Sequence, residues 1–314
     1  MRTTLPDRTA DRSARSVFAD CLAASARVRW KVEDLIGDDK ALDFSKHFLP
    51  EEFARTRRLP FLTDAERRAL SQIRGYVYLK MFVNIEAFVM PFVVEQAMAE
   101  PTADDVRTRA LLEFAAEEAK HTQMLNRFAE AFEAGFRAPV QVIGPPEAIA
   151  AEMAGREPLA VGLTVLGGEW VSLEHYVGSV RDDAGLCPVF KGMLKHHWLE
   201  ESQHARMDTV LVEEHAATLS PEAVARGVDG YFAIGDWFDA GLREQVGFDL
   251  ESFQAATGRV LDAGEREAFL REQLQALRWT FLGSALAQAR FQGSLERLVP
   301  GSAARAREVA AAMS

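Results

Sequence analysis

Apolar residues in this chain recur at the three-to-four-residue spacing of amphipathic helices, and the strict alternation of a half-buried strand is scarce. Ala, Leu, Glu and Arg dominate, so the pattern predicts an all-α fold. Helices are expected over roughly 13–36, 64–99, 103–134, 146–155, 158–182, 187–217, 221–246 and 263–289, with a last piece near 302–313. Their starts are marked. In "TDAE" Thr63 and Glu66 form a capping box, "TADD" repeats the signal more weakly with Thr102 and Asp105, and Ser220 precedes Pro221 as an N-cap. Four helices are long. One of about 36 residues spans roughly 50 Å at ~1.5 Å per residue, the length of a helical bundle. The clearest loop is "GFRAPVQVIGPPEA" (135–148), placed where a bundle needs its long crossover. No tandem repeat or low-complexity linker divides the chain, so residues 16–314 read as a single domain behind a disordered tail over 1–15.

Two stretches, "MFVNIEAFVMPFVVEQAMA" and "LAVGLTVLGGEWVSLEHYVGSV", are apolar enough to suggest membrane spans. Each contains acidic residues, which fits a helix buried in a protein core better. The 314 residues carry a formal net charge of −11. That balance disfavours nucleic acid and anionic membranes as partners. Two isolated cysteines, Cys21 and Cys187, exclude a thiolate metal site and a disulfide framework. They suit a cytoplasmic location, and the polar start "MRTTLPDRTADRSARS" does not read as a signal peptide.

The stretch "HHWLEESQHARMD" (196–208) stands out against this background. On a helix, His197, Glu201 and His204 fall within about 60° of one another, with Asp208 on the same stripe and Glu200 off it. A single Glu-x-x-His is most simply a solvated face. A second one, in "EEAKH" (117–121), aligns Glu118 with His121 among Leu111, Phe114 and Leu125. A carboxylate and an imidazole on a buried stripe need a partner to offset desolvation, and a metal pair would supply it. Two further long helices carry lone acids on apolar stripes. Glu86 has Phe82, Val89 and Met90 around it. Glu169 has Val165, Leu166, Leu173 and Tyr176, with Gly167 and Gly168 offering room for another helix. Glu174 is the alternative in that helix. Spacing favours Glu169: from Glu86 to Glu118 is 118 − 86 = 32 residues, and from Glu169 to Glu201 is 201 − 169 = 32. Two equal-armed hairpins would bring each lone Glu level with a Glu-x-x-His, the arrangement of carboxylate-bridged metal pairs in four-helix bundles. Glu117 and Glu200, beside the motif acids, are placed to accept a hydrogen bond from the far nitrogen of a histidine on another helix, or else are plain solvated residues.

With these motifs the sequence resembles the ferritin-like di-iron oxygenases, and more narrowly the p-aminobenzoate N-oxygenase (AurF-type) family, over roughly residues 30–215. "LSQIRGYVYLKMFVNIEAFVMPFV", "EFAAEEAKHTQML" and "HHWLEESQHARMD" carry the resemblance, and the discriminating feature is the extra histidine, His197, four residues before the last Glu-x-x-His. The resemblance implies a four-helix-bundle core with added N- and C-terminal helices. It also implies seven ligands to two iron ions: Glu86, Glu118, His121, Glu169, His197, Glu201 and His204. It further implies N-oxygenation of an arylamine through a peroxo-di-iron intermediate, and a homodimer. Lys120 and Gln203 stand where the family usually has arginine, and Leu125 stands where ribonucleotide reductase small subunits carry a radical tyrosine.

Expected partners are dioxygen and a small organic substrate; since no flavin or nicotinamide fingerprint is present, electrons are expected from an external donor of ferredoxin or reductase type or from the substrate itself. Oxidation at carbon by a hydroxylase or desaturase, iron storage, and a metal-free scaffold are the competing readings. Asp208, Glu117, Glu200 and Tyr176 are expected around the ligands, Tyr176 either lining the site or simply packing. His175 and His196 are expected to support or to face solvent rather than ligate, and His47 and His215 to lie at the surface. The five tryptophans read as core residues.

Overall fold

The computed structural model describes residues 8–37, 39–99 and 105–313, which are helical with only isolated bridges in place of strands. The helices are α1 (Arg8–Ser25), α2 (Glu51–Ala54), α3 (Asp64–Met98), α4 (Asp105–Gly135), α5 (Pro146–Ala154), α6 (Pro158–Glu174), α7 (Pro188–Ala217) and α8 (Pro221–Thr257). The chain continues through α9 (Ala263–Arg278), α10 (Ser284–Ala287), α11 (Ala289–Leu298) and α12 (Ser302–Met313). Two π-helical turns, His175–Val180 and Trp279–Gly283, extend α6 and α9.

Helices α3 and α4 form one hairpin, α6 and α7 a second, and the two pack into a four-helix core. Helix α1 lies across α4 and α7, α5 packs on α3, and α8 covers α3 and α6. Helices α10 and α11 close the outside of α6, and α12 packs against both. Phe114, Phe128 and Phe132 of α4 are fully buried, each stabilising the packing by about 2–3 kcal/mol. Helix α3 is long and apolar enough to cross a membrane, but 61% of its most apolar window is buried inside the protein, as a core helix requires.

Local signals act as sequence chemistry dictates. Thr63 Oγ1 accepts from Glu66 N, and the Glu66 carboxylate accepts in turn from Thr63 N. Ser220 Oγ accepts from Ala223 N, and Pro221 fills the first helical position, where no N–H is needed. Gly258, at φ +70°, ends α8 in the left-handed conformation that costs glycine least. The signal at Thr102 lies outside the described residues.

Several expectations are corrected. Helix α1 begins at Arg8, inside the stretch expected as tail, and residues 1–7 lie outside the described part. It stops at Ser25 rather than 36, because residues 26–36 turn and give up helical bonding for a short 3-10 segment. Helix α8 runs eleven residues beyond 246, to Thr257. Gly167 and Gly168 are not points of unusually close helix approach: a Cβ at Gly168 would meet only Ile85, at 4.0 Å, and one at Gly167 would meet Phe291 and Tyr231 at ordinary contact distances of 3.5 and 3.6 Å. Against α6 the tight contacts are made by α8, where a Cβ at Gly227 would come within 2.6 Å of Leu159 and one at Gly230 within 2.9 Å of Ala160. Of the tryptophans only Trp170 is buried; Trp30, Trp198, Trp237 and Trp279 are half-buried against the core. His47 and His215 are also half-buried rather than exposed.

Candidate metal centre

Each hairpin of the core contributes one lone acid and one Glu-x-x-His, all turned inward. Glu86 comes from α3, Glu118 and His121 from α4, Glu169 from α6, and His197, Glu201 and His204 from α7. They gather as two adjoining groups. Glu86, His121 and His197 form one and Glu118, Glu169, Glu201 and His204 the other, the candidate ligand atoms within each lying inside 4.8 Å of one another. Glu174, the alternative on α6, is exposed.

The groups are close without being satisfied. His204 Nδ1 lies 2.8 Å from Glu118 Oε1 and 3.5 Å from Glu201 Oε2, and His197 Nε2 lies 2.9 Å from Glu201 Oε1 and 3.7 Å from Glu86 Oε1. Yet Glu118 Oε1, Glu169 Oε2, Glu201 Oε1, His197 Nε2 and His204 Nδ1 are buried with no hydrogen bond. Buried polar atoms left in this way are costly unless something else binds them. Atoms that converge at such distances without hydrogen-bond alignment suit cations placed between them. Carboxylate oxygens with imidazole nitrogens form a donor set that suits divalent first-row metals.

Outside this set, the far ring nitrogens are held. His121 Nε2 meets Glu200 Oε2 at 2.9 Å, and His204 Nε2 meets Glu117 Oε2 at 2.8 Å. Each of these glutamates sits on the helix opposite its histidine, which fixes the ring orientation and leaves Nδ1 facing the centre. Lys120 Nζ pairs with the other oxygen of Glu200 and lies 4.1 Å above the Trp30 ring, and Ser25 Oγ donates to Glu117 at 3.4 Å. Lys120 thus supplies a cation on this side. Gln203, at the corresponding place in the other motif, bonds instead to the Leu199 carbonyl.

Seven buried carboxylates (Glu86, Glu117, Glu118, Glu169, Glu200, Glu201 and Asp208) surround three buried imidazoles. Burial, reinforced by Glu118, pushes the Glu86 carboxyl well above the ordinary carboxylate range, and burial with Glu201 does the same to Glu169. Burial also raises Asp208, both of whose oxygens lack a hydrogen bond. For Glu118 burial is outweighed by His204 and His121, and for Glu201 by His197, so both stay ionised. Burial would neutralise His121, but Glu118, Glu200 and Glu201 hold it up at about 9. The three imidazoles cannot compensate this much acid, and added positive charge would.

Tyr176 packs its ring on Trp198, 4.8 Å away, where the π-helical turn has carried it. His196 turns back on its own helix, Nδ1 lying 2.7 Å from the Gly192 carbonyl oxygen. One feature escaped the sequence pattern. Tyr78 Oη lies 3.0 Å from His175 Nδ1, and His175 Nε2 lies 3.1 Å from Ser284 Oγ, a buried polar chain beside the centre. Nothing in the spacing pairs Tyr78 with His175, because α3 and the end of α6 meet only through tertiary packing. An apolar cavity of ≈ 130 Å³ lies behind Ile85 and Gly168, the residues preceding Glu86 and Glu169. Phe281, Ala285 and Tyr231 form part of its wall.

The profile of the p-aminobenzoate N-oxygenase AurF family matches residues 4–230. No curated protein matches the chain in sequence. Among solved structures, an R2-like ligand-binding oxidase with an aerobically reconstituted Mn/Fe cofactor is 14% identical, with a TM-score of 0.42 over 82% of this chain and 91% of that one. A mutant R2-like ligand-binding oxidase with an anaerobically reconstituted Mn/Fe cofactor is 13% identical, with a TM-score of 0.45 over 93% of each chain. Another mutant, with an aerobically reconstituted Fe/Fe cofactor, is 14% identical, with a TM-score of 0.40 over 83% of this chain and 90% of that one.

Proposed function

The chain belongs to the p-aminobenzoate N-oxygenase AurF family of oxidoreductases, and from that premise we propose that it is a two-iron, dioxygen-dependent monooxygenase acting on the amine nitrogen of a small aromatic molecule. The observation that carries this reading is the pair of adjoining donor groups, buried and unsatisfied, made by Glu86, Glu118, His121, Glu169, His197, Glu201 and His204. These seven would hold two metal ions, with Glu117 and Glu200 orienting the histidines. When bound, such a pair supplies the redox chemistry that reduces dioxygen.

The protein's own residues do the rest. The apolar walls around the centre, Phe82, Phe114 and Leu125 among them, exclude water and so protect a strong oxidant from side reactions. The cavity beside Ile85 and Gly168 is of one-ring size and lined mainly by apolar groups, with Thr164, Tyr231, Asp236 and Arg305 as the polar residues of its wall. That lining favours a flat, largely apolar substrate. In the balanced reaction one amine, one dioxygen, two electrons and two protons yield one hydroxylamine and one water. No flavin or nicotinamide fingerprint occurs in the chain, so the electrons come from outside it.

The test is anaerobic loading with ferrous iron and a metal count, followed by oxygen in the presence of p-aminobenzoate or aniline. About two irons per chain and N-oxidised products are expected. Ring or side-chain hydroxylation would replace this reading with oxidation at carbon. Iron taken up far beyond two per chain would replace it with storage, and no bound iron would remove the metal centre altogether.

A further inference from the structure

We propose that an arginine-lined groove between residues 51–58 and the π-helical turn at Trp279 is the docking surface for an acidic one-electron redox protein, whose electrons reach the metal centre along packed rings from Phe53 to His197. The inference rests on the two-metal oxygenase reading, and it gives the required electrons a point of entry.

The groove is formed by α2, the 3-10 turn Thr56–Arg58 and the end of α9. Arg55, Arg57, Arg58, Arg271 and Arg278 line it. Three acids, Glu51, Glu52 and Glu272, share the lining, so the arginines outnumber them five to three. Glu51 accepts from Thr56 Oγ1 and from the Arg57 backbone N–H, while Glu52 accepts from Ser179 and from Trp279 Nε1. Arg278 is paired with Asp239, and Arg271 with Glu272. Arg57 and Arg58 are exposed, and neither side chain has an ion pair among the described residues. They form a local basic face on a chain of net charge −11. An acidic partner is repelled by the rest of the surface and drawn to this face, which gives orientation as well as attraction.

Backbone geometry presents these side chains outward. Arg55 adopts φ 44° and ψ 34°, closing α2 and starting the 3-10 turn in a left-handed conformation that costs a non-glycine residue roughly 1 kcal/mol. Strain of this kind persists where the surroundings over-determine it, and binding surfaces are one such place.

Beneath the groove an aromatic chain leads inward. Phe53, adjacent to Glu52, is buried with its ring 4.3 Å from His175. His175 is 5.7 Å from Tyr78, Tyr78 is 4.6 Å from Phe82, and Phe82 meets His197 edge-on at 5.3 Å. A second branch starts at Trp279 in the groove wall. Two residues on, Phe281 packs 6.0 Å from Tyr78 and 6.1 Å from Phe82. Ring centroids 4.3–6.1 Å apart keep each step between neighbouring rings short, and both branches converge on a residue of the metal centre. In the redox step each donor molecule gives up one electron and is oxidised, and the ferric centre gains it. Two such transfers meet the demand of one turnover.

The test measures stopped-flow reduction of the iron-loaded, oxidised protein by a reduced plant-type ferredoxin, an acidic one-electron carrier, and separately by dithionite. Wild-type reduction by ferredoxin should be fast at low salt and fall steeply as salt rises. Arg57→Glu with Arg58→Glu should slow it on the order of 10–100-fold, and the double glutamine variant should fall between. Dithionite reduction should stay within about twofold in every variant, because a small reductant needs no docking face. Ferredoxin rates that ignore the substitutions or the salt would overturn the docking surface while leaving the metal centre intact. An equal fall with dithionite would also overturn it, since the substitutions would then be acting on the centre itself. A wild-type protein that binds no iron would instead sink the metal-centre reading, and the entry route with it.

Discussion

Removing the Glu200 carboxylate tests whether the outer hydrogen bonds matter to metal affinity. Glu200 is fully buried, 2.9 Å from His121 Nε2, and its other oxygen holds Lys120. In Glu200→Ala the imidazole loses the acceptor that fixes its tautomer and orientation, and Lys120 loses its counter-charge. Outer-sphere partners of ligating histidines are typically worth 10–100-fold in metal affinity, about 1.4–2.7 kcal/mol. Glu200→Gln keeps an acceptor but loses the charge, so a smaller loss of about threefold is expected, on the scale of one neutral against one charge-assisted hydrogen bond. The effect should fall on one site of the two. His121 groups with Glu86 and His197, so that site weakens while the Glu118, Glu169, Glu201 and His204 site holds. Anaerobic titration with ferrous iron against a competing chelator resolves the two constants, with Glu174→Ala on the exposed face as the control. If both constants in Glu200→Ala stay within twofold of wild type, the assigned role is wrong.

Three other outcomes follow from particular contacts. Gly235→Leu, at a cavity wall where a Cβ meets no atom within 4 Å, should fill most of the ≈ 130 Å³ space. Arylamine turnover should then drop at least tenfold with iron content and melting temperature unchanged or improved; full turnover would place the substrate elsewhere. Asp249→Ala leaves Arg74, buried at 1% exposure and bonded to it at 3.1 Å, as an unpaired charge. Such a loss costs about 3–5 kcal/mol, or roughly 6 °C in melting temperature for a chain of this length. Calorimetry should show it, with much of the loss recovered in the Arg74→Met, Asp249→Leu double variant. Burial holds the folded-state pKa of His175 down to about 3, against an ordinary value near 6.5. The unfolded chain therefore binds this proton first as pH falls. The stabilising contribution is whole above about pH 6.5 and shrinks from there toward pH 3, by about 2 kcal/mol between pH 7 and 5. Urea unfolding of His175→Gln should lack that share of the slope, and an identical slope would refute it.

Helical content, the lengths of α3, α4 and α7, and the inward direction of Glu86, Glu118, His121, His197, Glu201 and His204 were determined by sequence alone. A helix fixes which residues share a face, and apolar neighbours at i ± 3 and i ± 4 tell which face is buried. The matched 32-residue spacings also separate Glu169, in the cluster, from Glu174, in solvent. Periodicity does not extend to pairings between helices or to places where helical register changes. The crossing of Glu200 to His121 and Glu117 to His204 had a spacing-based rationale, but which oxygen meets which nitrogen was decided by the packing of α4 on α7. The π-helical turn after Glu174 puts an extra residue into the turn, taking Tyr176 to Trp198 and His175 to Tyr78. Likewise the basic groove joins residues 51–58 to the end of α9, more than 200 positions away, and the cavity joins α3 and α6 to α8, α10 and α12. Such sites depend on long-range packing, for which one helix's pattern of polar and apolar residues carries no register.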